Sequence, residues 1–180
     1  RRSLEAKRGV PRTADGRPAR FVILGMGKLG GVELNYSSDI DLICLFDGDG
    51  KTDGPRSVSN QEFFDRLTRE VVRLLTEATE HGAAYRVDLR LRPEGLRGPL
   101  VSSIEQATHY YDVLGRTWER QAYVKARPIA GDLELGREFL AQLEPWIYRR
   151  YLSLADITGI KALKRRIEQR TVREGADARN

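Results

Sequence analysis

Two carboxylates open an apolar run in the chain, which reads Ser38-Asp39-Ile40-Asp41-Leu42 and continues through residues 43–46. An apolar run of this length predicts a buried strand that begins at the carboxylates. Because side chains alternate between the faces of a strand, Asp39 and Asp41 point to the same side, about 6–7 Å apart. Two like charges held so close repel each other, and burial adds to the cost. Mg²⁺ relieves such repulsion and also binds substrate phosphates.

The composition narrows the class of protein. The chain has 180 residues, 32% of them charged, which is enough for one sizeable folded core. No apolar run reaches the length of a membrane span and the amino end has no secretory pattern, so we expect a protein without membrane contact. The single cysteine fits a reducing cytoplasmic setting. The net charge of +5 is spread along the chain, which favours an anionic ligand without demanding nucleic acid.

The pattern along the chain predicts an α+β fold in three parts. Residues 1–19 are expected to form the end of a helix and a loop, residues 20–132 the core, and residues 133–180 a helical extension. Strands of one mixed sheet are predicted at 21–24, 40–46 and 85–92. Helices are predicted at about 60–79 and 103–114, packed on one face of that sheet, and at about 133–143 and 156–173. Residues 118–126 fit either a strand or a short helix, and residues 47–58 fit a flexible loop.

A third carboxylate, Asp88, lies in a predicted strand whose polar face otherwise carries arginines. Neighbouring strands lie about 5 Å apart, so Asp88 can approach Asp39 and Asp41 from the next strand. Three carboxylates can hold one or two divalent ions, as phosphoryl and nucleotidyl transfer require. Arg90 and Arg92 would add fixed positive charge for phosphate oxygens. The alternative is that Asp88 only pairs with an arginine and that the arginines form a solvated face.

A glycine-rich segment precedes the carboxylates and contains Gly25-x-Gly27-x-x-Gly30, the spacing of a dinucleotide-binding fingerprint. That fingerprint needs a full crossover helix between two parallel strands. Only residues 31–38 separate the third glycine from the next strand, so we interpret the match as coincidental. A glycine turn can also bring backbone N–H groups to a nucleotide phosphate. Lys28 fits a phosphate contact or an ordinary surface lysine equally well.

Three blocks of the chain, residues 25–42, 85–93 and 118–128, resemble the glutamine synthetase adenylyltransferase family in the family's own order. The resemblance implies the fold of the nucleotidyltransferase superfamily. It also implies that Asp39, Asp41 and Asp88 are the catalytic carboxylates, which bind Mg²⁺, or Mn²⁺ in its place. The residues it implies for holding phosphate are Gly27, Gly30 and Gly31, with Ser37 or Ser38. The residue pattern adds Lys28, Arg90 and Arg92 as further candidates for binding nucleotide and phosphate.

The resemblance further implies an activity and partners. The family enzyme has two catalytic halves, one that adenylylates a tyrosine of glutamine synthetase from ATP and one that removes the adenylyl group with phosphate to release ADP. Residues 98–101, Trp118-Glu-Arg and Lys125-Ala-Arg-Pro are similar to the removing half. We therefore expect removal, with adenylylation as the alternative. The implied partners are glutamine synthetase, ADP or ATP, phosphate and, through the full-length enzyme, a PII-type signal protein.

Two other functions stay open. A glycine-rich block that follows the last helix in the family lies beyond Asn180, so the chain could bind glutamine synthetase or nucleotide without turning it over. The pI of about 9.5 also permits a nucleotidyltransferase that acts on nucleic acid. The sequence offers little support for the latter, because it lacks a clustered basic stripe with interleaved aromatic residues.

Overall fold

The computed structural model describes residues 1–36, 38–80, 82–148, 157–162, 164–166 and 168–169. The α-helices are α1 (Arg2–Arg8), α2 (Gly27–Gly30), α3 (Asn60–Thr76), α4 (Ile104–Leu114), α5 (Thr117–Tyr123) and α6 (Leu133–Ile147). The strands are β1 (Pro11–Thr13), β2 (Phe21–Gly25), β3 (Ile40–Phe46), β4 (Gly50–Thr52), β5 (Ala78–Thr79), β6 (Gly82–Ala83), β7 (Val87–Asp88), β8 (Ser102–Ser103) and β9 (Arg127–Gly131). The predicted α+β class is confirmed.

The central sheet is mixed, as predicted. Strand β2 lies between β3 and β9 and is antiparallel to both, whereas β7 and β8 run parallel to β3. The antiparallel pairing of β2 with β3 excludes a dinucleotide-binding crossover, because that motif joins parallel strands. The interpretation of the glycine spacing as coincidental is therefore confirmed.

Helices cover both faces of this sheet, which corrects the prediction that α3 and α4 share one face. Strands β2 and β3 are apolar on both sides, a pattern typical of strands buried between two layers. The sheet residues that face α4, α5 and α6 are Val22, Leu24, Ile43 and Leu45. Those that face α3 are Phe21, Ile23, Ile40, Leu42, Cys44 and Phe46.

Helix α3 is held by an aromatic stack. The ring of Phe64 lies 5.3 Å from that of Phe21 and 5.2 Å from that of Phe46, centroid to centroid. At the start of the helix, Ser59 accepts a hydrogen bond from the N–H of Glu62 at 3.1 Å. The helix ends at Thr76, earlier than predicted, because the next residues pair as the β5–β6 hairpin.

The strand predicted at 85–92 is much shorter than expected, and only Val87 and Asp88 are paired. The carboxylate of Asp88 accepts the backbone N–H of Arg90 at 2.8 Å, a local bond that competes with the strand ladder. Leu89 therefore packs on the α3 side of the sheet and Leu91 on the other. The chain turns after β7 instead of continuing its alternation.

Two regions that were predicted as loops contain the strands β1 and β4, and the strand β9 was not predicted. Strand β1, within residues 1–19, pairs with β4, within residues 47–58. Strand β9 contains Pro128, which strand propensity disfavours but an edge strand tolerates. The ambiguous segment 118–126 is mainly the helix α5.

The carboxyl-terminal part of the chain is helical. Helix α6 extends to Ile147, beyond the predicted 143, and packs on β2 and β9. The described residues between 157 and 169 are also helical, whereas the remainder of the helix predicted at 156–173 lies outside the described residues. Within the described part of the chain, no helix has the length and apolarity needed to cross a membrane.

Ser103→Ala is expected to lower the free energy of unfolding by about 1 kcal/mol. Ser103 begins α4, where its hydroxyl accepts the N–H of Gln106 at 3.2 Å and the Gln106 side chain accepts the N–H of Ser103 at 3.3 Å. The replacement leaves a buried helix terminus unsatisfied. Urea denaturation of the chain measures the loss. Ser3→Ala, on the exposed α1, is the control, and equal midpoints for the two variants would contradict the prediction.

Candidate active site

Asp41 and Asp88 stand opposite each other on adjacent parallel strands. The register of β3 and β7 pairs Ile40 with Val87 and Asp41 with Asp88. Ile40 and Val87 pack in the core on the α3 side, so the two carboxylates lie on the other side of this strand pair. Asp39, two residues before Asp41, follows the same alternation. The structure thus brings the three predicted carboxylates to one edge of the sheet.

Two of these carboxylates, Asp39 and Asp88, form ion pairs with arginines. The guanidinium of Arg86 donates to Asp39 at 2.5 Å, and that of Arg90 donates to Asp88 at 2.8 Å. The hydrogen bonds from Arg90 lower the pKa of Asp88 below its ordinary value. Both arginine side chains are at least 70% exposed. The carboxylate of Asp39 is half exposed and that of Asp88 is only 15% exposed, so the Arg86 pair is the more solvent-screened of the two.

Asp41 differs from its two neighbours. Burial raises the pKa of its carboxyl group, and the charges of Asp88 and Asp39 raise it further. Among the residues that the structure describes, none donates a hydrogen bond to this carboxylate or forms an ion pair with it. A Cβ on Gly27 would lie only 3.4 Å from Asp41 Oδ2, so the glycine backbone passes close to the carboxylate. These surroundings disfavour the charged form, which a cation would stabilise.

The described residues offer only part of the coordination shell of a divalent metal ion. Over the described ranges, no group of three or more His, Cys, Asp and Glu side chains is arranged to hold a metal ion. Asp39 is instead turned to Arg86. Mg²⁺ often uses only one or two carboxylates, together with water and substrate phosphates. Asp41 and Asp88 supply two such carboxylates at facing positions.

The glycine segment is packed tightly against a distant part of the chain. A Cβ on Gly30 would lie 2.0 Å from Lys125 O and 2.4 Å from Gly25 O. The guanidinium of Arg127 donates to Gly30 O at 3.0 Å. A Cβ on Gly31 would lie 3.0 Å from the Lys125 side chain. Gly30 is therefore needed for close packing against the backbone of Lys125, and the aliphatic part of the Lys125 side chain lies against Gly31.

Lys125 and Arg127 were given no role from the sequence. The Lys125 ammonium pairs with Glu33 at 2.5 Å, and both side chains are about half exposed. Both residues lie in the third block that resembles the family, within Lys125-Ala-Arg-Pro. That likeness was the one feature of the sequence that could have drawn attention to them. Nothing in the local pattern indicates that this block reaches the glycine segment, because the contact depends on the pairing of β9 with β2.

Of the other residues predicted for the site, Arg92 and Lys28 lie in the described part of the chain and Ser37 does not. The guanidinium of Arg92 donates to the carbonyls of Leu89, Gly98 and Pro99, and burial lowers its pKa. These contacts favour a structural role over phosphate binding. Lys28 is exposed on α2, and Ser37 lies outside the described residues.

A cavity of about 550 Å³ lies beside the carboxylates. One wall comes from the segment that precedes β3, which includes Ser38, and the other from the segment that precedes β7. The lining residues are Leu34, Asn35, Tyr36, Ser38, Ala83, Ala84, Tyr85 and Arg86.

The sequence of the chain is similar to one protein family and to bacterial relatives. Residues 1–142 match the profile of a family described as glutamate-ammonia ligase adenylyltransferase. A protein of Thioalkalivibrio sulfidiphilus, named bifunctional glutamine synthetase adenylyltransferase/adenylyl-removing enzyme, is 48% identical over 94% of this chain and 18% of its own length.

Proteins with the same name occur among the relatives from other bacteria. The protein of Pseudomonas aeruginosa is 48% identical over 89% of this chain and 16% of its own length. The protein of Mesorhizobium japonicum is 49% identical over 82% of this chain and 15% of its own length. The chain thus spans less than a fifth of the length of these curated relatives.

Proposed function

This chain belongs to the family of glutamate-ammonia ligase adenylyltransferases, and on that premise we propose that it transfers adenylyl groups on glutamine synthetase. The observation that carries the proposal is the position of Asp41, opposite Asp88 and against the backbone of Gly27. Facing carboxylates beside a glycine turn can bind a divalent cation together with a phosphate group. The names of the relatives include both the addition and the removal of adenylyl groups.

The proposed direction is removal. The motifs at residues 98–101 and 118–128 support it, since both resemble the removing half of the family enzyme. In this reaction an oxygen of inorganic phosphate attacks the phosphorus of the adenylylated tyrosine. The bond between that phosphorus and the tyrosine oxygen breaks, the tyrosine oxygen takes the proton that the attacking hydrogen phosphate gives up, and ADP leaves. No covalent intermediate with the protein is required.

The residues of the site have separate roles in this proposal. Asp41 and Asp88 would hold one divalent cation, Mg²⁺ or Mn²⁺, and Asp39 could help to hold a second. The bound cation would neutralise charge on the reacting phosphate. Once Asp88 turns to a cation, the guanidinium group of Arg90 can turn to phosphate oxygens. Catalysis is then positioning and charge neutralisation.

The proposed partners follow from the same reaction. Glutamine synthetase, ADP and phosphate would bind at this segment, whereas a PII-type signal protein would act through other segments of a full-length enzyme. The proposed setting is the cytoplasm. A chain of this length could also serve as a binding module within the longer enzyme, and activity measurements separate the two functions.

The test places this chain in the Pseudomonas aeruginosa relative, in exchange for the segment it matches. Adenylylated glutamine synthetase, phosphate and Mg²⁺ are supplied, and ADP formation is measured beside adenylylation from ATP. The chimaera should form ADP, and the double variant Asp41→Asn/Asp88→Asn should lose ADP formation but keep adenylylation. Asp112→Asn, an exposed carboxylate of α4, is the control.

Three results would contradict this proposal. Loss of adenylylation with ADP formation retained would assign the chain to the opposite direction. Retention of both activities in the double variant would indicate a binding module. A chimaera without the substitutions that forms no ADP would show that the chain does not support removal.

A further inference from the structure

Two residues that line the cavity adjoin Asp39, one through the peptide chain and one through a hydrogen bond. Ser38 lines the cavity and directly precedes Asp39. Arg86 lines it from the other wall and donates to the Asp39 carboxylate at 2.5 Å. The backbone N–H of Ile40 also donates to Arg86 O at 2.8 Å. The cavity therefore adjoins the segments that lead into strands β3 and β7, which carry Asp41 and Asp88.

Two tyrosines on the cavity wall have unusual surroundings. Tyr36 is fully exposed, and Tyr85 is 42% exposed. In the described part of the chain, neither ring contacts another aromatic ring. Tyr111 and Tyr123, by contrast, are buried and pack against each other with ring centroids 4.9 Å apart. The rings of Tyr36 and Tyr85 contribute little to the core and are accessible to a ligand.

The rest of the lining suits a planar heterocycle. Leu34, Ala83 and Ala84 are small or apolar residues of the lining, and Asn35, a residue with a side-chain amide, also belongs to it. An Asn amide has an NH2 group that can donate to N7 of adenine and a carbonyl oxygen that can accept from its N6 amino group. The volume of about 550 Å³ lies in the range of small-molecule sites.

We propose that this cavity binds the adenine base of the adenylyl group, with the base stacked on Tyr36 and Tyr85. The inference rests on the proposed function and specifies where that site recognises its nucleotide. Bases stack on exposed aromatic side chains in many nucleotide-binding proteins, and the stacking contributes substantially to affinity. The phosphate would then lie toward Asp41 and Asp88, and the amide of Asn35 would face the edge of the base.

The test measures the affinity of the 180-residue chain for ADP and for inorganic pyrophosphate, each with MgCl₂, by calorimetry. Tyr36→Ala and Tyr85→Ala should each weaken ADP binding about tenfold and leave pyrophosphate binding unchanged. Tyr85→Phe, which keeps the ring, should retain the affinity for ADP. Tyr148→Ala, at the exposed end of α6, is the matched control.

Photolabelling with 8-azido-ADP locates the base independently of affinity. The label should appear in the tryptic peptides 29–51 and 74–86, which carry the two cavity walls. Label confined to other peptides, or unchanged ADP affinity in both alanine variants, would overturn the adenine site and leave the proposed function intact. A chain that binds neither ADP nor pyrophosphate would overturn both proposals.

Discussion

Asp41→Asn is expected to reduce metal-dependent turnover at least about a thousandfold, which corresponds to about 4 kcal/mol of transition-state stabilisation. Asn keeps the shape of the side chain but removes the negative charge that would bind the cation. Asp41 also lies against the Gly27 backbone and opposite Asp88. ADP formation by the chimaera with the Pseudomonas aeruginosa relative measures the loss.

The same substitution is expected to stabilise the metal-free chain at neutral pH. The folded state raises the pKa of Asp41 above its ordinary value of 3.8, because the carboxylate is partly buried and faces Asp88. The stability associated with protonated Asp41 is therefore present at low pH and is lost as the pH rises through the folded pKa. Asn does not titrate, so the advantage of the variant over the original chain should grow as the pH rises above the ordinary value of 3.8 and be complete above the folded pKa.

Thermal unfolding at pH values from about 3 to 8, in the presence of a chelator, tests this second effect. The melting temperatures of the two chains should coincide at the acid end and diverge as the pH increases, with Asp41→Asn the higher. Asp112→Asn should show no such divergence. Near-normal turnover in Asp41→Asn, or a variant that melts below the original chain at neutral pH, would contradict the assigned role.

Gly30→Ala is expected to destabilise the fold by about 3 kcal/mol or more. The new methyl group would meet two backbone oxygens, Lys125 O at 2.0 Å and Gly25 O at 2.4 Å. Neither oxygen can move without disturbing its own segment, because Gly25 belongs to β2 and Lys125 leads into β9. The substitution would separate the glycine segment from β9 and weaken the contact that brings Arg127 to Gly30 O.

Urea denaturation of the chain measures this loss, and the neighbouring glycine supplies a matched control. A methyl group on Gly31 would meet the Lys125 side chain at 3.0 Å, and the stem of a lysine can move at small cost. Gly31 also has φ −76°, which suits any residue. Gly31→Ala should therefore cost much less than Gly30→Ala. Equal unfolding midpoints for the two variants would disprove the close-packing role of Gly30.

The carboxylate pair could be predicted because its signal is local. Alternation along β3 places Asp39 and Asp41 on one side, and the apolar run after them requires burial of the strand. The helices α3 and α4 could also be predicted from the sequence, since each has apolar periodicity and a capping residue at its start. The number of residues available between β2 and β3 was enough to dismiss the dinucleotide fingerprint.

Other features could not be read from the chain, because they arise from pairing between distant segments. Strand β9 contains a proline and a glycine and exists through its ladder with β2. The placement of α3 and α4 on opposite faces depends on which side of a doubly apolar sheet each helix packs. Local alternation through 85–92 was misleading, because a side-chain bond from Asp88 ends the strand.

The sequence by itself determined the strands β2 and β3, the helices α3 and α4, the family likeness and the acidic residues at the start of β3, since each depends on neighbours within a few positions. Only the tertiary structure decided that Asp88 faces Asp41, that Lys125 and Arg127 reach the glycine segment, and that Tyr36 and Tyr85 share one cavity. The reason is that strand register and sheet order join residues tens of positions apart, and side-chain periodicity carries no information about that distance.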